Sequence, residues 1–408
     1  MCALDYFNGT SLGECQHFYL DPSKELNINV QKIGTDGWGG VSVDVEGQEA
    51  NFHCPIKTYL DGNQGWPSFT YLECTTTDVT LTTKIIALTG YTGNSDMNSN
   101  EMIDIKSGCT AELPDYPMPV SGATGVYENS RITICGGTNS NKCYKLKKNG
   151  ISFELLQTMG DNRTNARSIV TEGNILVTGG VDENNNKIGS GEFIKQQIPN
   201  MYIQLPYPVN EHWFLNINQT TSFLIGGTTS SATASKKTYF FNHFTNEWTS
   251  GPDLIKGRHA HTAGVLFDHD TNEQHIAVIA GNKGGAYLMS TEILYHGNTT
   301  WTYGIVFMIT IFCIFNKNLF FLTYVGPNLP LSSTSWHGIG HQAIVRVGLD
   351  LVVLGGQAFT GNYWNSKKMY KLSCRSNTCH WDILPQQLKT GRFKFVAVSV
   401  PDDFMQCE

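Results

Sequence analysis

A glycine that follows a short apolar run recurs six times in this 408-residue chain and restricts the folds it can adopt. Four of the six runs end in a Gly-Gly pair, and the other two end in Thr-Gly and Ala-Gly. The last glycines of the six units are Gly90, Gly137, Gly180, Gly227, Gly281 and Gly356, so that successive units lie 47, 43, 47, 54 and 75 residues apart. Strand-plus-glycine units at a period of about 50 residues indicate a repeat protein built from small β-sheets.

The residues after each glycine repeat as well. The fourth unit continues with a second strand at residues 238–242 and then Trp248 ahead of a Gly-Pro turn, and the sixth repeats this with residues 369–372 and Trp381. In the Gly-Gly, Tyr and Trp positions taken together, residues 82 to 403 resemble kelch repeats. This resemblance implies an all-β fold, a six-bladed kelch-type β-propeller over residues 81–408.

The chain ends in an alternating apolar run at residues 393–400, which has no partner within the sixth unit. The first unit has the opposite defect, because it lacks a complete strand ahead of its glycine. An open sheet edge would recruit other chains, so a propeller closes on itself. We therefore expect residues 393–400 to complete the first blade beside residues 84–88.

Residues 1–80 lack the glycine pattern and form a separate unit. Two strand-like runs in it end at Cys54 and Cys74. A unit of this size has a thin core that disulfide bridges supplement. We expect a small disulfide-stapled β module.

The cysteines predict a framework of disulfides. The chain has eleven cysteines and none is in a Cys-x-x-Cys pair, which disfavours a zinc or redox site. Closeness in the chain suggests four bridges and elimination suggests a fifth: Cys135–Cys143, Cys374–Cys379, Cys54–Cys74, Cys2–Cys15 and Cys109–Cys407.

Glycosylation sequons accompany the cysteines at Asn8, Asn162, Asn218 and Asn298. Sequons and disulfides together favour a secreted or cell-surface protein. The first residues have no basic or apolar signal-peptide region, so the interpretation as a secreted protein requires that the signal peptide is missing from this sequence. The alternative is a cytosolic propeller with free buried thiols.

Residues 304–325 interrupt the repeat with the most apolar stretch of the chain. Their uninterrupted apolar run is too short for a membrane span, and Lys317 would lie near the bilayer centre. Without these 22 residues, the longest interval between repeated glycines falls from 75 to 53 residues, close to the preceding interval of 54. Trp301-Thr-Tyr then joins Gly-Pro-Asn-Leu, which matches Trp248-Thr-Ser-Gly-Pro-Asp-Leu of the fourth unit. An even number of ten cysteines also remains. Our hypothesis is a translated short intron; the alternative is a real apolar loop that anchors the protein to a membrane or a partner.

The histidine pairs His259/His261 and His337/His341 are candidate metal ligands. Both pairs stand where a unit begins its first strand, so we expect structural histidines and no metal or cofactor. Two acidic loops, residues 182–187 and 268–273, lack calcium-loop spacing and are expected to be solvated turns. A copper site like that of galactose oxidase would need a spare cysteine, and the predicted bridges leave none. No catalytic motif is found.

These observations favour a non-enzymatic, monomeric scaffold that binds a protein or glycan partner on a propeller face. The net charge of −7 without a basic stripe disfavours nucleic acid as a partner. A secreted propeller enzyme and a cytosolic kelch adaptor are the alternatives. Converging carboxylate, Tyr or His groups with shifted pKa values at the mouth of the central channel would favour the enzyme. A mixed polar and aromatic rim would favour binding.

The intron hypothesis makes a direct prediction. Mature transcripts should lack the 22 codons for residues 304–325, because the two flanks join in phase and restore the repeat spacing. Sequencing of complementary DNA measures this, and the codons for Trp248 to Leu254 in the same transcripts serve as an internal control. Retention of the segment in most transcripts would disprove the hypothesis.

Overall fold

The structure is a computed structural model in which the chain divides into two compact units, Met1–Leu81 and Thr82–Glu408. It describes residues 83–405 except for 149, 172, 195–200, 230–232, 304–312, 316–317, 321–328, 330–337 and 360–362. Of residues 1–82 it describes only seven short strands.

The strands of the first unit form three small antiparallel sheets. The pairs are Tyr6–Phe7 with Thr10–Ser11, Asn51–His53 with Thr75–Thr77, and a three-stranded sheet of Ile28–Val30, Thr70–Leu72 and Ile56–Thr58. The cysteines predicted to staple this unit, Cys2, Cys15, Cys54 and Cys74, lie outside the described residues.

The second unit contains, among its described residues, six four-stranded antiparallel sheets, named sheets I to VI. From the first strand to the fourth they are Val396–Val400, Lys84–Tyr91, Asp96–Asp104, Thr110–Leu113 (I); Ala123–Glu128, Arg131–Gly136, Lys142–Lys147, Glu154–Thr158 (II); Arg167–Thr171, Asn174–Thr178, Ser190–Ile194, Met201–Gln204 (III); Trp213–Asn216, Thr221–Ile225, Thr238–Asn242, Glu247–Ser250 (IV); Thr262–Phe267, Gln274–Ile279, Thr291–Leu294, Thr302–Tyr303 (V); and Ala343–Val347, Asp350–Leu354, Lys368–Arg375, Thr378–Gln387 (VI).

Three smaller sheets complete the described strands. Two hairpins pair Asn282–Lys283 with Ala286–Tyr287 and Cys313–Phe315 with Asn318–Phe320. A three-stranded sheet joins Ile339–Gly340, Gln357–Phe359 and Tyr363–Asn365. No helix occurs in the described part of the chain, and therefore none there is long and apolar enough to cross a membrane.

The first strands of the six sheets contact one another in a closed ring, with sheet I between sheets VI and II. Sheet I takes its first strand from the end of the chain, because Val396–Val400 pairs antiparallel with Lys84–Tyr91. The all-β prediction is confirmed, and the architecture is that of a β-propeller.

The repeated glycines make the links between sheets. In every sheet, the N–H of the last glycine donates to a carbonyl just before the first strand of the next sheet, at 2.9 to 3.0 Å. The six donor–acceptor pairs are Gly90–Val120, Gly137–Arg163, Gly180–Val209, Gly227–Arg258, Gly281–Ile339 and Gly356–Arg392. The last pair links sheet VI to sheet I, so the bonds form a closed cycle.

Only glycine fits at these positions. Gly227 has a φ of +92°, and a Cβ there would lie 2.7 Å from the Cβ of His212. The other five last glycines have φ between +93° and +114° and similar clashes at 3.0 Å or less. The left-handed region and the close approach both exclude a side chain, which explains why the glycine recurs when its neighbours vary.

A buried arginine recurs in alternate sheets, four residues before the first strand. Each guanidinium donates to two carbonyls of its own sheet and faces a buried carboxylate: Arg163 with Glu192, Arg258 with Glu292, and Arg392 with Glu101. In sheets II, IV and VI, Val120, Val209 and Ile339 take the place of the arginine as the acceptor of the glycine N–H. Removal of one member would leave a buried charge without its partner, which is costly.

Tryptophan side chains fill the seams between sheets. The indole N–H of Trp248 in sheet IV donates to the Gln204 carbonyl of sheet III at 2.9 Å. Trp301, ahead of the fourth strand of sheet V, donates in the same way to Pro252 at 2.9 Å and stacks on Phe223. These contacts satisfy the indole N–H while the ring excludes water from the seam.

Two of the predicted disulfides are present in the described residues. Cys135 and Cys143 face each other across sheet II, and Cys374 and Cys379 do so across sheet VI. Cys109 is also disulfide-bonded. Its predicted partner, Cys407, lies outside the described residues.

The insertion at residues 304–325 is described only in its short hairpin, Cys313–Phe315 with Asn318–Phe320. The intron hypothesis therefore stays a prediction.

The glycine links generate a stability prediction. Gly227→Ala should lower the free energy of unfolding by about 3 kcal/mol or more, because the new methyl group meets backbone and Cβ atoms in a left-handed conformation. Gly284→Ala is the control, since its φ is +61° but nothing lies within 4 Å of the new Cβ, and about 1 kcal/mol is expected. Denaturant titration measures both, and equal losses would contradict this explanation.

Candidate functional site at the axial mouth

Six turns lead into the first strands, and their central residues surround the axis of the ring. Each central residue has positive φ, from 50° to 65°: Gly122, Asn165, Glu211, Ala260, His341 and Lys394. Five backbone hydrogen bonds of 2.7 to 3.1 Å connect neighbours in this set, for example from the His341 N–H to the Ala260 carbonyl. We call this set, together with His259, the axial mouth.

Glu211 is the centre of the polar side chains at the axial mouth. Its carboxylate lies 2.6 Å from Nδ1 of His259 and 3.8 Å from Nε2 of His341. The carboxylate comes from the turn of sheet IV, and the imidazoles come from the turns of sheets V and VI. Their convergence is therefore a product of ring closure.

Burial and charge set the protonation of these groups. Burial opposes ionisation of Glu211, but His341, His259 and Lys394 outweigh it and lower the pKa of Glu211 to about 2. Burial lowers the pKa of His341 to about 4, although Glu211 acts in the opposite direction. At neutral pH the axial mouth therefore holds an anionic Glu211 beside an uncharged His341.

A cavity of about 150 Å³ lies among the beginnings of the first strands. Arg167 lines it, with its guanidinium carbon 4.4 Å from the centre of the Trp213 ring. The hydroxyls of Thr124 and Ser168, which are 2.8 Å apart, also line it. The cavity thus combines one cation, an aromatic face and hydroxyl groups, a composition suited to a small polar ligand.

Aromatic rings flank the imidazole of His341. The ring of Phe393 lies 6.0 Å from that of His341 and makes an edge contact of 5.3 Å with Tyr91. Tyr287 packs against Gly340 and donates its hydroxyl proton to Gln357. The axial mouth therefore has both the titrating groups expected of an enzyme and the polar and aromatic rim expected of a binding site.

The predicted histidines separate into different roles. His259 and His341 belong to the axial mouth, whereas His261 is fully buried and burial lowers its pKa well below the usual value. His337 lies outside the described residues. Within the described residues, no group of three or more His, Cys, Asp or Glu side chains could hold a metal ion.

The two acidic loops also differ. Asp182 is partly exposed, residues 183–186 are exposed, and its carboxylate accepts N–H bonds from Asn184 and Asn186, as expected of a solvated turn. The solvated-turn prediction is wrong for Asp268, which is fully buried. Its carboxylate accepts four backbone N–H bonds, two of them from Ser376 and Asn377 in sheet VI, which lower its pKa to about 2. Asp268 therefore joins two sheets.

The sequons differ in accessibility. Asn218 and Asn298 are exposed, Asn162 is half-buried, and Asn8 lies outside the described residues. Asn218 follows the first strand of sheet IV, and Asn298 follows the third strand of sheet V. Both therefore lie at the ends of their sheets opposite to the axial mouth.

The sequence analysis missed Glu211, Lys394, Arg167 and Trp213. A positional signal exists, because these residues stand at fixed offsets from the first strands. In sheet III, for example, Arg167 pairs with Thr178 at the end of the second strand, and the central turn residue Asn165 lies two positions before Arg167. Glu211 and Lys394 have the same offset in their sheets. That offset is visible only once the units are aligned on the strand pairing.

Comparison with known proteins supports the fold alone. No protein-family model and no curated protein matches the chain. The solved structure of YjhT, a protein of propeller-like fold, matches with a TM-score of 0.52 and 17% sequence identity. The match covers 70% of this chain and 89% of YjhT.

Buried histidines beside the axial mouth predict acid sensitivity. Burial lowers the pKa of His212 to about 3, so between pH 6.5 and 3 the unfolded chain binds a proton that the folded chain does not. This residue alone should therefore lower the free energy of unfolding by about 2 kcal/mol between pH 7 and pH 5. His212→Gln should remove that loss, and sheet VI already has Gln342 at the same position.

Denaturant titrations at the two pH values measure the difference. His380→Gln is the control, since this histidine is exposed. An unchanged pH dependence in the His212 variant would contradict the assignment of the acid sensitivity to this side chain.

Proposed function

We propose that residues 82–408 form a six-bladed kelch-type β-propeller that binds a glycan at the axial mouth and acts as a monomeric, non-enzymatic scaffold. The observation that carries this proposal is the convergence of Glu211, His259, His341 and Lys394 in turns whose following residues, among them Arg167 and Trp213, line the cavity. Sugar recognition commonly combines hydrogen-bonding side chains with an aromatic face, and both are available here.

The six sheets support the blade assignment. Each has four antiparallel strands, each has its glycine at the end of the second strand, and the first strands contact one another in a ring. Trp248 and Trp301 occupy equivalent places and make equivalent bonds to the preceding sheet. These are the positions on which the kelch resemblance rests.

We further propose a secreted or cell-surface location. The two described disulfides and the bridged Cys109 are compatible with an oxidising compartment. Glycans on Asn218 and Asn298 would occupy the face opposite to the axial mouth and leave the mouth open.

The fifth bridge, Cys109–Cys407, is supported by the course of the C-terminal tail. The buried Lys84 ammonium donates to the carbonyls of Asp402 and Met405, and Lys84 pairs with Asp104, five residues before Cys109. Peptide mapping of protein secreted from eukaryotic cells tests the location and the bridge together. Reduced cysteines with unmodified Asn218 and Asn298 would refute the secreted assignment.

An enzyme is the second candidate function. A buried carboxylate 2.6 Å from an imidazole is an arrangement used in general acid–base catalysis. Turnover of any glycan that binds at the axial mouth, with its loss in Glu211→Gln, would favour this candidate over the scaffold. A third candidate, the cytosolic adaptor, requires free thiols and is less compatible with the disulfides.

Binding at the axial mouth is tested by a glycan screen with matched variants. Glu211→Gln and Lys394→Gln should each weaken binding of the glycans selected by the wild-type protein by about 10-fold, because each removes a charged hydrogen-bonding group. Lys147→Gln is the control, since Lys147 lies in sheet II, away from the axial mouth, and is 61% exposed. A selected glycan whose affinity is unchanged in both axial variants would refute the site.

A further inference from the structure

We infer that the axial cavity takes the carboxylate of a small organic acid, with the Arg167 guanidinium as its partner and the Trp213 ring beside it. This inference rests on the proposed function, because it assigns the chemical class of the ligand that the axial mouth admits.

Arg167 is half-buried and differs from the three fully buried arginines in how few of its N–H groups are satisfied. Arg163, Arg258 and Arg392 each donate to two carbonyls and face a carboxylate of their own sheet. In the described residues, Arg167 donates from Nη1 to the Ala166 carbonyl at 3.1 Å and makes no second hydrogen bond to a carbonyl. Its buried Nε–H has no partner, as is also true of Arg163 and Arg392, so the difference lies in the Nη groups. Glu211 attracts the Arg167 guanidinium electrostatically, but no ion pair of 4.0 Å or less joins Arg167 to a carboxylate in the described part of the chain.

A guanidinium has five N–H donors in a planar fork, so a buried one with unused donors is incomplete without an acceptor. Arg167 lines the cavity, which makes the cavity the place for that acceptor. The Trp213 ring covers one face of the guanidinium at 4.4 Å and restrains its plane. A carboxylate matches the fork with two parallel hydrogen bonds.

The surrounding charges favour a monoanion. Glu211 is ionised at neutral pH, whereas burial holds His212, His261 and His341 in the neutral form. Arg167 and Lys394 carry two positive charges against the one negative charge of Glu211, which His259 also contacts at 2.6 Å. Such a site can neutralise one carboxylate, whereas a phosphate dianion would keep an unpaired charge in a partly buried place.

The size and lining of the cavity restrict which chemical groups the ligand can carry besides its carboxylate. A volume of about 150 Å³ restricts the ligand to a small molecule of about the size of a monosaccharide. Thr124 and Ser168 offer hydroxyls, and Gln342 also lines the cavity. A compact polyhydroxy acid fits this lining better than a fatty acid.

Isothermal titration with D-glucuronate and D-glucose tests the inference, because the two sugars differ only in the carboxylate. We expect glucuronate to bind about 10- to 100-fold more tightly than glucose, in line with a charge-assisted bidentate pair. Arg167→Gln should abolish that preference. Arg167→Lys should keep part of it, because it retains the charge and loses the fork.

Equal binding of the two sugars, or a preference that survives in Arg167→Gln, would overturn the inference while the proposed glycan function stands. Binding of neither sugar would also overturn the inference. The glycan screen described above then tests the proposed function independently. Arg131→Gln is the matched control, since Arg131 pairs with Glu128 at the far end of sheet II. If far-ultraviolet circular dichroism shows that Arg167→Gln does not fold, Arg167→Lys decides the result: a reduced preference supports the inference, and an unchanged preference overturns it.

Discussion

The hydrogen bond from the last glycine of one sheet to a carbonyl ahead of the next sheet is the interaction on which the second unit depends. It occurs six times, with donor–acceptor distances of 2.9 to 3.0 Å, and the sixth bond returns to the first sheet. A backbone N–H that is buried between two sheets has no water to bond, so this acceptor is required. The same closeness excludes a Cβ, and glycine is therefore obligatory where the sheets meet.

This constraint also creates the functional site. Because each glycine holds the segment before the next first strand, six turns are brought to the axis in the same left-handed conformation. Hydrogen bonds to neighbouring turns and sheets restrict the backbone of these turns to one conformation. Their side chains can differ, from the hydrogen atom of Gly122 to the charged side chain of Lys394. Chemical diversity is thus confined to positions that the repeated backbone has already placed around the cavity, which is how function is added to a common fold.

The polar groups that are buried elsewhere in the ring stabilise the fold. The Arg163, Arg258 and Arg392 networks tie the turn to the second and third strands of alternate sheets, and Asp268 caps the hairpin of its neighbour. In each of these groups the charges are paired or bonded to backbone. Arg167 has one backbone acceptor and no carboxylate within ion-pair distance, and a polar group with unused donors in the folded protein is a feature that points to a ligand site.

The sequence by itself determined the all-β architecture, the two described disulfides and the use of the last strand beside Lys84–Tyr91. All of these follow from local patterns: glycine spacing, alternation and short cysteine separations. Only the tertiary structure decided which side chains share the axial mouth, because Glu211, His341 and Lys394 are far apart in the chain and meet through ring closure. The burial of Asp268 was likewise invisible, since an acidic loop has the same composition whether water or a neighbouring hairpin satisfies its carboxylate.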